Sequence, residues 1–436
     1  MFMAGFISVA CSKSSDEVVS SKGNGVKIQS WKSSKGAKVM YVHAPQLPML
    51  DIRLVFNAGS ARDDKHQGVA LLTNAMLSQS AGDWTTDQIA EKFEAVGAKF
   101  STSALRDMAI ISLRSLTDEK WLAQALNTFK VVVSKPAFKE DEVKRKKAQQ
   151  LISIQNQLQS PSSIAKNAYY STVFNDHAYA TPSVGTKELV NALSVKDLKN
   201  YYDKYYVAAN LTIAIVGNVD QKQARKIAED LTADLNKGNA AEKLNDVALP
   251  VQSQIVHKEY DATQTHILIG QPGMKRGDKD YYSLYVGNHI LGGSGFGSRI
   301  MEEIREKRGL AYSSYSYFSP MQSIGPFIIG MQTKNEKTTE ALEVLNKTLQ
   351  DFITNGPTEE ELSHSKKNIT GGFPLRVDSN KDITEYLAVI GFYDLSLDYL
   401  NTFNDKINAV TIDMIKDAFK RRIHSDKLIT VTVGKK

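Results

Sequence analysis

The feature that most constrains the fold of this chain is an internal repeat. Residues 191–217 (NALSVKDLKNYYDKYYVAANLTIAIVG) align without a gap with residues 408–434 (NAVTIDMIKDAFKRRIHSDKLITVTVG), 217 positions later. In both copies a serine or threonine precedes a helical pattern and a β-rich run ending in glycine follows, which predicts a capped helix and a strand. The offset is half the length of the 436-residue chain. The sequence therefore predicts two homologous domains of about 200 residues each.

The two halves show a similar order of predicted elements, with strands, paired strands and helices in the same succession. Local hairpins and helices of this kind predict an α+β fold, in which each domain is a mainly antiparallel sheet with helices packed against one face. Residues 236–250 (NKGNAAEKLNDVALP) are polar and end in proline. This stretch predicts a linker between domains 25–235 and 251–436.

Composition indicates an ordinary globular protein and excludes several kinds of site. Hydrophobic residues make up 42% and charged residues 23%, and the net charge of +6 is small beside 54 basic and 48 acidic residues. The basic run Lys144–Lys147 lies in a polar helical pattern without aromatic residues, which favours a solvated helix face over a nucleic-acid site. The single cysteine, Cys11, excludes an intrachain disulfide and a thiolate metal cluster.

Residues 1–24 predict export from the cytoplasm. The start MFMAGFISVAC is apolar over a length too short to span a bilayer, and the polar run SKSSDE follows at once. Ser8-Val9-Ala10-Cys11 resembles a bacterial lipoprotein cleavage box, although Ser8 replaces the usual leucine and no basic residue precedes the apolar run. The sequence predicts a periplasmic protein of the bacterial cell envelope, attached to the membrane only through a lipid on Cys11. The alternative is a frayed terminus with a chance cysteine.

Residues 59–77 (GSARDDKHQGVALLTNAML) resemble the zinc-binding segment of the pitrilysin/insulinase family of peptidases, most closely its mitochondrial-processing-peptidase-like branch. In that family a His-x-x-Glu-His helix stands here, and its histidines hold zinc while the glutamate activates water. The three motif positions in this chain are Leu71, Asn74 and Ala75. Leucine and alanine offer no lone pair, and asparagine is not a base, so the resemblance implies that this zinc motif is degenerate.

The remaining positions of the family's metal site also lack ligands. The family's third ligand is a glutamate that would fall near Leu151–Ser153, yet no Asp or Glu lies between Glu142 and Asp176. None of the eight histidines stands three or four residues from another, so no helical ligand pair exists.

The glycine-rich loop Gly292–Gly297 fits neither a phosphate-binding loop nor a nucleophile elbow. We therefore expect this chain to have no cofactor of its own.

Residues 292–312 (GGSGFGSRIMEEIREKRGLAY) give the closest match to that family, in its second domain. There an arginine and a tyrosine seven residues apart project toward the active site of the zinc domain, and they correspond to Arg305 and Tyr312. The resemblance implies that both donate hydrogen bonds to the scissile carbonyl oxygen and adjacent backbone, an effect of a few kcal/mol. Gly309 is predicted to end the helix Arg299–Lys307 so that the two side chains converge. Without the resemblance, Arg305 would be explained as part of a charged helix face and Tyr312 as a tyrosine packed in a strand.

The resemblance implies a noncatalytic subunit that forms half of a clam-shell with a zinc-bearing partner of the same family. Expected substrates are peptides or unfolded protein segments held along a sheet edge, for which Lys99–Ser103 and Ser313–Phe318 are the candidate strands. Two alternatives remain, a structural or assembly subunit and a peptide-binding envelope protein without hydrolytic role. No nucleic-acid partner is expected.

Overall fold

The computed structural model describes residues 25–436 and the short strand Glu17–Val18. Cys11 and the predicted cleavage box lie outside the described residues. The strands of the first sheet are β1 (Glu17–Val18), β2 (Gln29–Lys32), β3 (Lys38–His43), β4 (Met49–Phe56), β5 (Lys99–Ala104), β6 (Ala109–Leu116) and β7 (Leu211–Gly217). Those of the second sheet are β8 (Gln254–Glu259), β9 (Gln264–Met274), β10 (Ser314–Phe318), β11 (Gly325–Lys334) and β12 (Ile429–Gly434).

The helices follow the same division along the chain. The first half contains α1 (Val69–Met76), α2 (Thr86–Glu94), α3 (Glu119–Ser134), α4 (Glu140–Leu158), α5 (Pro161–Phe174), α6 (Lys187–Ala192), α7 (Val195–Tyr205) and α8 (Gln221–Thr232). The second half contains α9 (Tyr281–Asn288), α10 (Arg299–Met301), α11 (Thr338–Asn355), α12 (Glu359–Gly372), α13 (Asn380–Phe392), α14 (Tyr399–Asn408) and α15 (Ile412–Arg422). Two π-helical turns, His289–Gly293 and Glu302–Glu306, continue α9 and α10.

The two sheets have the same strand order. The first runs β1-β2-β3-β7-β4-β6-β5 and the second β8-β12-β9-β11-β10. In each sheet one pair is parallel, β3 with β7 and β8 with β12, and the other pairs are antiparallel. Apart from β1 and β2, which extend the first sheet, the strands correspond one to one. The prediction of two homologous α+β domains with mainly antiparallel sheets is confirmed.

The aligned segments fold in the same way in both halves. Ser194 Oγ accepts a hydrogen bond from a backbone N–H in the first turn of α7, and Thr411 Oγ1 does the same for α15. Each capping side chain satisfies a donor that has no partner within its helix. Both helices lead into a strand, β7 or β12, that is hydrogen-bonded on both sides within its sheet. Most residues of both strands are buried.

The halves exchange one helix each. α13, from the second half, packs on the first sheet against β3, β4 and β7, and α5, from the first half, packs on the second sheet against β9 and β12. Lys38 Nζ in β3 donates to the carbonyl oxygen of Gly391 in α13 at 2.9 Å. The Tyr169 hydroxyl in α5 donates to the carbonyl oxygen of Phe327 in β11 at 2.6 Å.

This exchange places a helix on the second face of each sheet, for which the sequence predicts no cover. The expectation of helices against one face only was wrong, because the covering helix comes from the distant half of the chain and no local pattern reveals it. Residues 237–253, which include most of the predicted linker, contain no helix or strand. In the described part of the chain, no helix combines the length and apolarity needed to cross a bilayer.

Candidate functional site

A buried aspartate, Asp63, accepts hydrogen bonds from the start of the helix that carries the degenerate zinc motif. The carboxylate of Asp63 accepts hydrogen bonds from the backbone N–H groups of Gly68 at 2.7 Å and Ala70 at 2.9 Å. Gly68 has φ of +89°, and an added Cβ would lie 2.9 Å from the carbonyl oxygen of Val184, so only glycine fits before α1. Burial raises the pKa of Asp63 to about 7, although the two backbone donors act in the opposite direction.

The motif positions do not form a metal site. Leu71 and Ala75 lie half-buried one turn apart on α1, and both side chains are hydrocarbon. Asn74 is 1% exposed, and its Nδ2 donates to the Tyr206 hydroxyl at 3.3 Å. Its amide is therefore turned into the core and serves packing. These residues do not fit zinc, because metal binding needs histidine, cysteine or carboxylate ligands facing one point.

The neighbouring helix α4 carries an amide and an ammonium group just before Leu151–Ser153, the stretch near which the resemblance places a third ligand. Gln150 Nε2 donates to the carbonyl oxygens of Gly68 at 3.2 Å and Val184 at 2.8 Å. Lys147 Nζ donates to the carbonyl oxygens of Asn191 and Leu193. Within the described residues no group of three His, Cys, Asp or Glu side chains is placed to hold a metal ion.

Arg305 and Tyr312 lie together, as the resemblance implies. The Arg305 guanidinium stacks 4.5 Å from the centroid of the Tyr312 ring, and its Nη1 donates to the Tyr312 carbonyl oxygen at 3.4 Å. Gly309, with φ of +61°, turns the chain between them. The predicted helix Arg299–Lys307 starts as α10 and continues as the π-helical turn from Glu302 to Glu306, which contains Arg305.

The two side chains differ in exposure. The Tyr312 residue is 80% exposed, whereas the Arg305 side chain is 27% exposed. In the described structure the Tyr312 hydroxyl has no hydrogen-bond partner, and the one ion pair of Arg305 is a long one to Glu306, at 3.5 Å from Nε. The arrangement presents a free phenol and a partly shielded guanidinium at the surface of the second half.

A third residue of this group was missed by the sequence analysis. The Phe296 ring lies 4.6 Å from the Arg305 guanidinium, which is therefore stacked against two rings. Phe296 is exposed, although it is a large apolar residue in a glycine-rich loop. The sequence carries no signal for this contact, since a single exposed apolar residue is ordinary on a protein surface. Cation–π contacts with both rings fix the direction of the guanidinium.

Both candidate peptide-binding strands are sheet edges. β5 and β10 are the terminal strands of the first and second sheets. Each presents backbone N–H and C=O groups that an added strand could pair with. The segments Lys99–Ser103 and Ser313–Phe318, predicted as edges, lie almost entirely within these strands.

A cavity lies beside each edge strand, and an exchanged helix lines each cavity. The cavity beside β5 has a volume of about 1040 Å³ and is lined by charged residues, among them Arg53, Lys99 and Glu385 of α13. The cavity beside β10 has a volume of about 510 Å³ and is lined by Tyr315, Tyr317 and part of α5. The two cavities thus occupy equivalent places in the repeat but differ in chemistry.

Comparison with known proteins gives the same family for both halves. Residues 38–187 match the family described as insulinase (peptidase family M16), and residues 192–369 match the peptidase M16 inactive domain. A crystal structure of a peptidase M16 inactive domain from Pseudomonas fluorescens is 39% identical, with a TM-score of 0.91 over 94% of this chain and 98% of that one.

More distant relatives match over nearly the whole chain. A non-peptidase homolog, YmxG, from Helicobacter pylori is 26% identical over 405 residues, covering 91% of this chain and 92% of its own. An uncharacterized zinc protease from Rickettsia felis is 27% identical, covering 83% and 88%. The crystal structure of a protease from Helicobacter pylori, 18% identical, has a TM-score of 0.86 over 94% of this chain and 99% of that one, which shows the shared fold.

Proposed function

Because this chain belongs to the peptidase M16 (insulinase) family, we propose that it is the noncatalytic, substrate-binding subunit of a two-subunit zinc peptidase. The observation that carries the proposal is the Arg305–Tyr312 pair in a chain whose α1 lacks metal ligands. A phenol that is 80% exposed contributes little to the packing of this chain. Its placement beside a guanidinium that contacts two rings suits a role in a composite site.

The chemistry follows from the groups that the pair offers. The zinc of the partner subunit would activate water and polarise the scissile carbonyl. Arg305 and Tyr312 would donate hydrogen bonds to the carbonyl oxygen as negative charge develops on it, and to the adjacent backbone. Because the guanidinium is already oriented by Phe296 and Tyr312, little reorganisation is needed when the substrate arrives.

The proposed substrate is an extended peptide or an unfolded protein segment. The free edges of β5 and β10 can each pair with such a chain through backbone hydrogen bonds, which do not depend on sequence. The adjacent cavities can take side chains from the added strand. Nothing in this arrangement favours nucleic acid, since the site residues offer one guanidinium and aromatic rings rather than a basic stripe.

The test is reconstitution with a zinc-bearing subunit of the same family. The purified chain alone should contain no stoichiometric zinc and cleave no quenched-fluorescent peptide. Adding a partner with an intact His-x-x-Glu-His motif should give cleavage. In that complex Arg305→Ala should lower kcat by roughly 10²–10³-fold, the usual cost of one lost oxyanion donor, and Tyr312→Phe should also lower it. Arg308→Ala is the matched control, because Arg308 lies just after the same turn and, among the described residues, pairs with Glu303.

Three results would contradict the proposal. Zinc-dependent cleavage by the chain alone would show a catalytic site of its own. An unchanged kcat for Arg305→Ala and Tyr312→Phe in an active complex would indicate a structural or assembly subunit. Peptide binding without any stimulation of a partner would indicate a peptide-binding envelope protein.

The proposed location is the periplasmic side of the bacterial cell envelope, with a lipid on Cys11. The sequence of residues 1–24 supports this. Metabolic labelling with a palmitate analogue in a bacterial host should mark the full-length chain, and Cys11→Ser should abolish the label. Retention of the unlabelled protein in the cytoplasm, with or without Cys11, would contradict export.

A further inference from the structure

A separate cavity of about 490 Å³ lies in the second half, at the end of α9. The π-helical turn His289–Gly293, the end of β10 and α12 meet around it. Its size is within the range of pockets that hold small ligands. Its walls combine polar groups with the aromatic rings of Tyr281, Tyr317 and Phe318.

Two arginines give the cavity its charge. Arg376 Nη1 donates to the Tyr285 hydroxyl at 3.1 Å, and the Arg276 guanidinium lies 5.6 Å from the centroid of the Tyr393 ring. The Nε of Arg276 is buried and has no hydrogen-bond partner. Neither arginine forms an ion pair with a described residue, and none of the residues lining the cavity is acidic. Two guanidinium groups without a counter-charge favour binding of an anion.

The histidine of this cavity adds hydrogen-bonding groups but no charge. His289 Nδ1 lies 2.9 Å from Ser365 Oγ, and its Nε2 lies 3.2 Å from Asn368 Oδ1. Burial lowers the pKa of His289, and this outweighs the hydrogen bond to Asn368, which acts in the opposite direction; His364 and Arg376 lower the pKa further. The imidazole is therefore neutral at pH 7, and the arginines alone supply the positive charge.

The internal repeat relates this cavity to the degenerate zinc motif. Asn288 stands 217 residues after Leu71, the position of a first metal ligand in the resemblance. Asn368 stands 217 residues after Leu151, in the stretch Leu151–Ser153 near which the third would fall. Asn288 Nδ2 donates to the carbonyl oxygen of Ser316 in β10 at 3.0 Å, which holds the π-helical turn to the edge strand. The second half thus has a polar cavity, with amides instead of metal ligands, where the family's first half has its metal.

We propose that this cavity binds the carboxylate group of a peptide, with the adjoining side chain against the aromatic walls. The guanidinium groups of Arg276 and Arg376 would hold the carboxylate, as planar forks match its two oxygens. The rings favour a group with an apolar body over inorganic phosphate. Tyr317 lines both this cavity and the one beside β10. The inference deepens the proposed function by naming a substrate group, and it rests on that function for peptide as the source of the carboxylate.

The test is calorimetric titration of the full chain without any partner. The probes are acetyl-Ala-Ala-Phe with a free carboxylate, the same peptide as its C-terminal amide, and inorganic phosphate. The free acid should bind at least tenfold more tightly than the amide or phosphate. Arg276→Gln and Arg376→Gln should each weaken its binding at least tenfold. Lys347→Gln, which removes one charge from an exposed position of α11, should leave binding unchanged.

Equal binding of acid and amide, or no binding of the acid, would overturn the proposal. Phosphate binding as tight as that of the acid would overturn the assignment to a peptide carboxylate. Arg376 is exposed at the rim, so its glutamine variant should fold even if Arg276→Gln does not. Because the titration needs neither zinc nor a partner, its failure is distinct from failure of the reconstitution experiment.

Discussion

The carboxylate of Asp107 accepts a hydrogen bond from the Tyr393 hydroxyl at 3.0 Å, although the two residues are 286 positions apart. The same carboxylate accepts from the Tyr179 hydroxyl at 2.7 Å and from the backbone N–H of Gln322 at 2.7 Å. Asp107 lies in the turn between β5 and β6, and Gln322 lies in the equivalent turn between β10 and β11. Burial and the charge of Asp107 raise the pKa of both tyrosines, so both hydroxyls remain donors. One buried carboxylate therefore joins the two halves.

Asp107→Ala should destabilise the chain strongly, because it leaves one buried and two partly buried donors without an acceptor. We expect a loss of about 3 kcal/mol or more in the free energy of unfolding, and about 1 kcal/mol for Tyr393→Phe. Urea denaturation followed by circular dichroism measures both. Asp83→Asn is the control, since Asp83 is exposed. A loss for Asp107→Ala no larger than that of the control would contradict this account.

The pH dependence of stability should reveal the raised pKa of Asp63. Its pKa is about 7 in the folded chain against an ordinary value of 3.8, so between these pH values the folded state binds more protons. The free energy of unfolding should therefore fall as pH rises from 4 to 7, by up to about 1.4 kcal/mol per pH unit from this group. Asp63→Asn should remove that slope, measured as urea midpoints across pH 4 to 8.

Asp280 should contribute to the pH dependence of stability with the opposite sign. It stands 217 residues after Asp63, but it pairs with Arg421 and Arg422, and hydrogen bonding to Arg421 above all lowers its pKa to about 2. Its contribution to stability is present above pH 4 and is lost as pH falls toward 2. Asp280→Asn should therefore change stability at pH 7 and leave the slope between pH 4 and 7 as in the natural chain. A common slope in both variants would show that Asp63 does not titrate there.

Neither half of the chain should fold by itself. Without α13 the first sheet exposes an apolar face that includes Met40, Val55 and Val216, and without α5 the second sheet exposes Val431 and Val433. We expect residues 25–235 and 251–436, expressed separately, to aggregate or stay unfolded, and to form a compact species when co-expressed. Size-exclusion chromatography with circular dichroism measures this. A monomeric, cooperatively unfolding half would contradict it.

Phe296 should act through Arg305. Removing the ring with Phe296→Ala loses one of two stacking contacts, worth about 0.5–1 kcal/mol at an exposed site. In the reconstituted peptidase we expect kcat to fall by about two- to fivefold, with a smaller effect in an Arg305→Ala background. Ile255→Ala, at an exposed position of the opposite edge strand β8, is the control. Equal, additive losses in both backgrounds would rule out action through Arg305.

Local features of the fold could be predicted because they depend on neighbouring residues. The helix caps at Ser194 and Thr411 follow from side chains that can accept a hydrogen bond, the strands from the pattern of apolar residues, and the turn from Gly309. All of these signals are visible within a few positions. The degenerate zinc motif was equally visible, since whether Leu71 and Ala75 can bind a metal is decided by residue type alone.

Contacts between distant segments could not be predicted in this way. Three contacts depend on which segments the folded chain brings together, and the local sequence pattern does not encode them. They are the exchange of α5 and α13, the Asp107–Tyr393 hydrogen bond and the approach of Phe296 to Arg305. The direction of Asn74 also depended on the fold, because Tyr206, its partner in the core, is 132 residues away.

By itself the sequence determined that this chain is a duplicated α+β protein of the insulinase family with a degenerate zinc motif. Only the tertiary structure decided that the two halves share helices, that Arg305 contacts two rings, and that two arginines line one cavity near His289. The physical reason is that secondary structure and residue chemistry are local, whereas stacking, burial and the lining of a cavity depend on which surfaces the folded chain brings together.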